Sequence, residues 1–291
     1  MDVYAIVTDK IISLLEQSVV PWRRPWISTG LPRNLVSKKA YRGVNYFLLS
    51  ATKYVSPYWL TMHQTNQVGG RVRKGEESTI VVFWKVQDLK QSRGDLDTEE
   101  SDDKNRRRFL LRYYRVFNLE QCELPQAVLD KLPKVEMQEH TPISACAEII
   151  GCMPNAPEIQ HAGTKAFYSA MTDRVTLPPP ELFTSAEEYY ASGFHELIHS
   201  TGHQKRLSRE SILEAAPFGS PTYSGEELVA EMGAAYLCAE SGISPPVIEN
   251  QAAYVAGWLK KLRDDRKLVV EAAAQAQHAA EYVLGKVPTT V

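Results

Sequence analysis

Five consecutive residues in the second half of the chain have the spacing of a hydrolytic metal site: His195-Glu196-Leu197-Ile198-His199. Because an α-helix turns once in about 3.6 residues, the two histidines project from one face and can bind one metal ion together. In such an H-E-x-x-H helix the imidazoles are neutral metal ligands, and the carboxylate of Glu196 can take a proton from the attacking water. The pattern predicts metal-assisted hydrolysis with Glu196 as the catalytic base. Two ordinary histidines on a helix surface are the alternative.

A catalytic metal site of this kind needs a third protein ligand. Glu227 and Glu231 lie four residues apart on a second predicted helix, so one can bind the metal while the other orients a ligating histidine. We predict Glu227 as the ligand, although a capping box with Ser224 would give it a purely structural role. His203 is a further candidate, but Gly202 is expected to end the helix before it. Imidazole and carboxylate ligands favour Zn²⁺, with Mn²⁺ or Co²⁺ as alternatives.

The flanking sequence predicts the elements that this metal site requires. Thr184 or Ser185 can cap the start of the H-E-x-x-H helix, apolar residues recur through it with helical spacing, and Gly202 follows the second histidine. Two short strands are expected earlier, at 167–169 and 174–178. The second of these strands would pair with an extended substrate beside the cleft.

The first third of the chain is basic and rich in aromatic residues. Residues 1–94 contain 14 Lys and Arg against 6 Asp and Glu, a net charge of +8 that the overall charge of −2 conceals. Rings and cations alternate in the segments 21–26 and 34–46, which is typical of surfaces where bases stack and phosphates meet cations. A solvated face over an aromatic core is an equal alternative. The predicted DNA contacts are Trp22, Arg23, Arg24, Trp26, Asn34, Lys38, Lys39, Tyr41, Arg42, Asn45, Arg71, Arg73 and Lys74.

Hydrophobic periodicity predicts a mixed α/β structure for this part of the chain. A helix is expected over 3–17, shorter helices over 45–53 and 61–68, and strands over 78–86 and 109–117. The polar run between the two strands is expected to be a long hairpin connection. The glycine-rich loop before the first strand lacks the Gly-Lys-Ser/Thr sequence of a phosphate-binding loop, which argues against nucleotide hydrolysis.

The composition predicts an α+β protein of two domains, a mixed α/β domain over 1–124 and a mostly helical domain with a small sheet over 142–291. A proline-containing linker at 125–141 is expected to join them. The chain shows no signal-peptide pattern and no apolar run near the ~20 residues of a membrane span, which favours a cytoplasmic protein without a membrane partner. The four cysteines lack the spacing of a metal site or a disulfide scaffold and are expected to be reduced.

An ordered set of motifs resembles the ArdC family of plasmid antirestriction proteins. The resemblance implies an N-terminal domain that binds single-stranded DNA, a C-terminal zincin-like metallopeptidase domain, and protection of incoming conjugative DNA from host restriction. The insertion at 91–108 matches none of these motifs. The motifs are Asn34, Tyr41-x-Gly43-x-Asn45, Trp59-x-Thr61-x-x-Gln64, Gly69 with Lys74-Gly75, Phe117-Asn118-x-x-Gln121, Tyr168, Asp173, the H-E-x-x-H segment with Gly202-His203, and Glu226-Glu227-Leu228-x-Ala230-Glu231.

Three functions are compatible with these patterns. The first is a zinc metallopeptidase held on single-stranded DNA without sequence preference, which cleaves an unidentified protein near that DNA. The second is a non-catalytic protein that coats single-stranded DNA and carries a structural or vestigial metal site. The third is a free-standing peptidase whose basic domain binds acidic peptides. Glu196 favours a catalytic site, since a structural zinc tends to have four protein ligands and needs no base. The sequence makes no prediction of oligomeric state.

Overall fold

The computed structural model describes residues 2–23, 31–88, 107–132, 142–213, 221–244 and 251–286. Over these residues the protein is an α+β structure of two domains. The helices are α1 (Val3–Glu16), α2 (Val44–Ser50), α3 (Met62–Gln67), α4 (Gln126–Leu129), α5 (Pro142–Cys152), α6 (Ala186–Thr201), α7 (Glu210–Leu213), α8 (Pro221–Ser241), α9 (Gln251–Asp264) and α10 (Leu268–Val283). The strands are β1 (Arg33–Asn34), β2 (Tyr58–Leu60), β3 (Arg71–Val72), β4 (Thr79–Asp88), β5 (Arg107–Asn118), β6 (Cys122–Glu123), β7 (Glu158–His161), β8 (Phe167–Ser169) and β9 (Arg174–Leu177).

A four-stranded sheet with the order β1-β2-β5-β4 organises the N-terminal domain. β4 pairs antiparallel with β5 along its whole length, from Thr79 opposite Val116 to Asp88 opposite Arg107. The run of β-branched and aromatic residues in β4 suits a half-buried pleated strand. The two strands predicted here are confirmed. The glycine-rich loop also contains β3, which pairs with β6 in a separate two-stranded sheet.

Polar side chains hold α2 and α3, the helices on either side of β2, in place. The side chain of Thr61 caps α3 and is answered by Gln64, which makes a capping box. At the start of α2, the Asn45 side chain donates to the carbonyl of Val82 at 2.7 Å and accepts from its N–H at 2.6 Å. Because β4 is an edge strand, Asn45 satisfies backbone groups that the sheet leaves unpaired.

The first helix belongs structurally with the last two. The side chains of Val7, Ile11 and Leu15 on α1 are fully buried and join the core that the C-terminal helices form. The Thr8 hydroxyl donates to the carbonyl of Arg266, between α9 and α10, at 2.6 Å. The helix predicted over 3–17 is confirmed, and it ties the two ends of the chain together.

Three of the predictions concern segments that the structure describes only in part. Arg24, Trp26 and residues 91–106 of the predicted hairpin connection lie outside the described residues. Within the predicted linker, α4 occupies Gln126–Leu129, and residues 133–141 lie outside the description.

The four cysteines are free thiols, as expected. In the described part of the chain, no helix is both long and apolar enough to span a membrane.

The metal helix α6 packs directly on α8. A Cβ on Gly233 of α8 would lie 2.8 Å from Ile198 of α6, so only glycine allows this close approach. Beside α6 lies a three-stranded sheet with the order β7-β9-β8. The prediction that the strand at 174–178 pairs with substrate is wrong, because β9 is the central strand and both of its edges are already paired.

Candidate metal centre

The helix that carries the metal ligands begins and ends where the sequence predicts. Ser185 caps α6, accepting a hydrogen bond from the N–H of Glu188 at 3.2 Å. The helix ends at Gly202, but that residue has an ordinary helical φ of −75°. The glycine is needed for space, since a Cβ there would lie 2.5 Å from the side chain of Ile212.

Three side chains from α6 and α8 meet at one point. The Nε2 atoms of His195 and His199 are 3.1 Å apart, and each lies 3.6 Å from a carboxylate oxygen of Glu227. Their ligand atoms all fall within 4.8 Å of one another, and within the described ranges this is the group of His, Cys, Asp or Glu side chains found to be able to hold a metal ion. Two imidazoles and one carboxylate are the ligand set of catalytic zinc sites that leave a position open for water.

Glu226, the residue before Glu227, holds His199 in place. Its Oε1 lies 3.2 Å from Nδ1 of His199, so it fixes the ring with Nε2 facing the other two ligands. Arg209 binds the same carboxylate through two hydrogen bonds, of 2.6 and 3.0 Å. Burial raises the pKa of Glu226, but the hydrogen bonds from His199 and Arg209 outweigh it and bring the value down to about 2. The carboxylate is therefore ionised at neutral pH.

Replacing Glu226 by Gln is expected to weaken metal binding about 10- to 100-fold, because the amide no longer orients His199 as an anion would. Competition with a chromophoric chelator measures this affinity. The matched control is Glu240→Gln, since Glu240 is on the same helix and forms an exposed ion pair with Lys286. Equal metal affinity in the two variants would show that Glu226 does not support the site.

The surroundings of the three ligands are negative. Burial disfavours the protonated form of His195, but Glu227, Glu196 and Glu231 outweigh that effect and raise its pKa. Tyr223, at the start of α8, hydrogen-bonds Glu227, and burial together with this carboxylate raises the pKa of the phenol to about 12. A cation at this point would relieve the charge that these carboxylates place around the imidazoles. The residues present therefore fit a divalent metal.

The proposed base lies in a cavity beside the ligands. Glu196 is 8% exposed and lines a cavity of about 170 Å³ together with His195, Glu231 and Trp22. The carboxylate of Glu231 accepts hydrogen bonds from the indole N–H of Trp22, at 2.9 Å, and from the hydroxyl of Tyr254. Glu231 thus holds a tryptophan of the N-terminal domain. Glu231 does not join the His195–His199–Glu227 cluster, and it is Glu226 that lies against a histidine ring, so the structure gives no support to the prediction that Glu231 binds the metal or orients a histidine.

His203 does not reach the metal ligands. The chain turns after Gly202, and the Nδ1 atom of His203 lies 3.8 Å from Asp173 and accepts the N–H of Lys205. Asp173 also binds the buried guanidinium of Arg206. Burial opposes ionisation of Asp173, but hydrogen bonds from Arg206 and Tyr168 lower its pKa from 3.8 to about 2. His203 is therefore part of a structural network that joins the β8–β9 turn to the segment after α6.

This network is expected to make the protein sensitive to acid. Because the folded state lowers the pKa of Asp173, its ionised form stabilises the fold above the unfolded value and that contribution is lost as the pH falls from about 4 towards 2. Wild type should therefore lose more melting temperature than Asp173→Asn when the pH is lowered from about 7 to about 3. The control is Glu148→Gln, which removes an exposed carboxylate on α5. Parallel losses in wild type and Asp173→Asn would refute the assignment.

Three of the predicted DNA contacts are buried, Trp22, Asn45 and Tyr41, and the first two bond to other parts of the fold. Trp22 is 1% exposed and its ring packs edge to face on Trp258. Asn45 is 5% exposed and is used by β4. Neither side chain is available to a strand of DNA, which corrects the prediction for both. Alternation of rings and cations indicated an exposed surface at 21–26, whereas the Trp22 ring turns into the core.

The other predicted contacts are exposed lysines, arginines in ion pairs, and the neighbouring residues Asn34 and Tyr41. Lys38, Lys39 and Lys74 are exposed. Asn34 accepts the backbone N–H groups of residues 36 and 37 through its side-chain oxygen, and Tyr41 is 7% exposed next to it. The side chain of Arg23 lies outside the described part. Three arginines form ion pairs within the domain or across to the C-terminal helices: Arg42 with Glu281, Arg71 with Glu123, and Arg73 with Glu76.

Comparison with known families agrees with this architecture. Residues 152–275 match a family of zincin-like metallopeptidases, MPTase-PolyVal, and residues 1–117 match the N-terminal domain of the anti-restriction factor ArdC. The fold and the site thus define a zincin-like domain that follows an ArdC-type N-terminal domain. The domain boundaries at 124 and 142 stay predictions.

Full-length relatives identify the family. The chain is 33% identical to the antirestriction protein ArdC of plasmid R388, each covering 97% of the other, and the metal-free crystal structure of that protein matches it with a TM-score of 0.75. The Mn(II)-bound crystal structure of ArdC matches with a TM-score of 0.72. The chain belongs to the ArdC family of antirestriction proteins. With the His195–His199–Glu227 cluster, these findings indicate a divalent-metal site.

Two kinds of curated relatives extend the comparison. The chain is 34% identical to the uncharacterized protein y4eC of Sinorhizobium fredii, over 97% of this chain and 91% of that protein. It is also 35% identical to the DNA primase TraC of Escherichia coli over 97% of its own length, but it spans 20% of the primase. The architecture therefore occurs both by itself and as part of a much longer protein.

Proposed function

We propose that this protein is a plasmid-encoded antirestriction factor that binds single-stranded DNA through its N-terminal domain and hydrolyses peptide bonds at a zinc site in its C-terminal domain. Its role is to protect incoming conjugative DNA from host restriction, by cleaving a protein found near that DNA. The proposed peptidase activity rests on one observation. The ligand atoms of His195, His199 and Glu227 lie within 4.8 Å of one another, and Glu196 lines the adjoining cavity.

The chain supplies the ligands and the proton transfers of this reaction. His195, His199 and Glu227 would hold Zn²⁺, which when bound lowers the pKa of water and polarises the substrate carbonyl. Glu196 takes the proton from the attacking water as the new C–O bond forms. The same carboxyl group then gives this proton to the amine that leaves when the C–N bond breaks. Glu226 keeps His199 oriented throughout.

The sheet beside α6 offers a binding edge for the substrate. Within the described residues, β8 is an edge strand that pairs only with β9, and Phe167 on it is 50% exposed. Ala166, the residue before β8, lines the cavity that contains His195 and Glu196. An extended peptide that added to the free edge of β8 would run past this cavity, with main-chain hydrogen bonds fixing its register. We therefore assign substrate pairing to β8.

The DNA half rests on the ArdC-type N-terminal domain and on its charge. The net charge of +8 over residues 1–94 favours a polyanion, and the exposed Lys38, Lys39 and Lys74 can meet phosphates. Contacts with the phosphates of the DNA carry no sequence information. Binding is therefore expected to be independent of sequence and to weaken steeply as the salt concentration rises.

One purified preparation of the whole protein tests both halves. Fluorescence anisotropy with labelled single strands and duplexes, at about 50 and about 200 mM salt, measures DNA binding. Cleavage of denatured casein, before and after metal removal by a chelator and again after Zn²⁺ is restored, measures hydrolysis. We expect preference for the single strand and metal-dependent cleavage. DNA binding without cleavage would instead indicate the coating protein, and cleavage without DNA binding the free-standing peptidase.

A further inference from the structure

The N-terminal domain contains a cavity of about 360 Å³ on one face of its four-stranded sheet. Val81 and Val116, on the paired strands β4 and β5, are fully buried beneath it. Phe83 and Tyr114, from the same two strands, form one wall. The opposite side comes from β1 and the segment that follows it, with Asn34 and Tyr41. This is the size range in which proteins bind small planar ligands.

The wall of the cavity is an exposed group of aromatic rings. Phe83 is 47% exposed and Tyr114 is 43% exposed, with ring centroids 5.9 Å apart. The ring of Tyr41, which is buried, packs beside them with its centroid 6.2 Å from that of Phe83. Large rings left open to solvent on one face of a sheet mark a binding surface more often than a structural one. Their flat faces suit another aromatic ring system.

The far end of the cavity is polar, and its rim is cationic. The side-chain amides of Asn34 and Gln64 bond to each other, with N–O distances of 2.9 and 3.3 Å. Backbone N–H groups also occupy both amide oxygens, so this end of the cavity offers amide N–H donors to a ligand. Exposed Lys39 lines the cavity, and Arg112, also exposed, lies directly opposite Phe83 in the sheet. A ligand that satisfies all three features is a planar heterocycle with a hydrogen-bonding edge, attached to an anionic chain.

We propose that this cavity is a nucleobase site, which takes one unpaired base of a single DNA strand against Phe83 and Tyr114. Lys39 and Arg112 bind the flanking phosphates. The proposal rests on the DNA binding proposed above and adds the reason for its preference for single strands. In a duplex the base faces are covered by stacking and the base edges by pairing, so no base can enter without leaving the helix.

The test compares a thymidine oligonucleotide with a strand of equal length that has the same phosphates but no bases. Full-length wild type should bind the thymidine strand about tenfold more tightly at low salt, which is the contribution expected from stacking of a base. Tyr114→Ala should lose this preference and bind the two strands with about equal affinity. In addition, a strand with 5-iododeoxyuridine should photocrosslink wild type at Phe83 or Tyr114.

The matched control is Tyr113→Ala. Tyr113 is the neighbouring residue on β5, is 36% exposed, and lies on the other face of the sheet because side chains alternate along a strand. This variant should keep the preference for bases. If wild type binds the two strands equally, or if Tyr114→Ala behaves as Tyr113→Ala does, the nucleobase site is wrong while DNA binding stands. If wild type binds neither strand, both this site and the proposed DNA binding are wrong.

Discussion

A Glu196→Gln variant is expected to keep its metal and to lose about 100- to 10,000-fold in peptide hydrolysis, which is the usual contribution of a positioned general base. Glutamine has nearly the shape of glutamate, so the cavity beside His195 is preserved, but its amide cannot accept the proton of the attacking water. Casein cleavage at equal protein concentration measures the rate, and atomic absorption measures the metal content.

The control for this prediction is Glu231→Gln, which changes another carboxylate of the same cavity. Because Glu231 is engaged with Trp22 and Tyr254 and does not join the ligand cluster, its replacement should slow hydrolysis far less. Similar losses in both variants would mean that the charge of the cavity matters and that Glu196 has no special role. Loss of metal from Glu196→Gln would assign Glu196 to metal binding.

Replacing Trp22 by Ala is expected to lower the free energy of unfolding by about 3–5 kcal/mol, the usual cost of removing a large buried ring. The ring is 1% exposed, packs on Trp258 and donates its N–H to Glu231. Urea unfolding followed by circular dichroism measures the change. Trp22→Phe should recover part of it, since the ring is retained and the hydrogen bond is lost.

Trp84→Ala is the matched control for the buried tryptophan. Trp84 is 48% exposed on β4, so removing its ring should cost much less than removing that of Trp22. If the two alanine variants unfold at the same urea concentration, Trp22 does not join the N-terminal domain to the metal domain in the way described. If Trp22→Ala weakens DNA binding while its free energy of unfolding is unchanged, the result would support the prediction that Trp22 contacts DNA.

The metal ligands could be predicted because helix periodicity fixes their geometry. His195 and His199 lie on one face of any α-helix, and Glu227 needs only a second helix that packs against the first. The same local logic holds for β4 and β5, whose residue types alone indicate strands. Several motifs that carried the family resemblance have a local structural role too, since Thr61 with Gln64 and Asn118 with Gln121 form capping boxes.

The side chains that hold His199 in its orientation could not be predicted, because their contacts depend on how the helices cross. Glu226 and Glu227 are neighbours about 100° apart on α8, and only the packing of α6 decides which of them meets Nε2 and which meets Nδ1 of His199. Arg209, which neutralises Glu226, comes from the segment before α7. The Glu226-Glu227 pair is the available signal in the sequence, but helix periodicity predicts a role only for Glu227 and Glu231.

In the N-terminal domain, Trp22 shows that residue composition does not predict whether a ring faces solvent or the core. Its position between Pro21 and Arg23 is typical of a nucleic-acid surface, and the direction of its ring is set by contacts with Trp258 and Glu231, more than 200 residues away. The exposed rings of the nucleobase site were not predicted for the same reason. Phe83 and Tyr114 read as ordinary strand residues until the register of β4 and β5 places them on one face.

We expect the antirestriction effect to depend on peptidase chemistry at this metal centre. The most direct measurement is survival of unmodified plasmid DNA after conjugative entry into a restricting host, with wild type compared with Glu196→Gln at equal expression. We expect protection to be lost in the variant while its metal content and single-stranded DNA binding equal those of wild type. Full protection by Glu196→Gln would refute the dependence on peptidase chemistry and would show that occupancy of the DNA is sufficient.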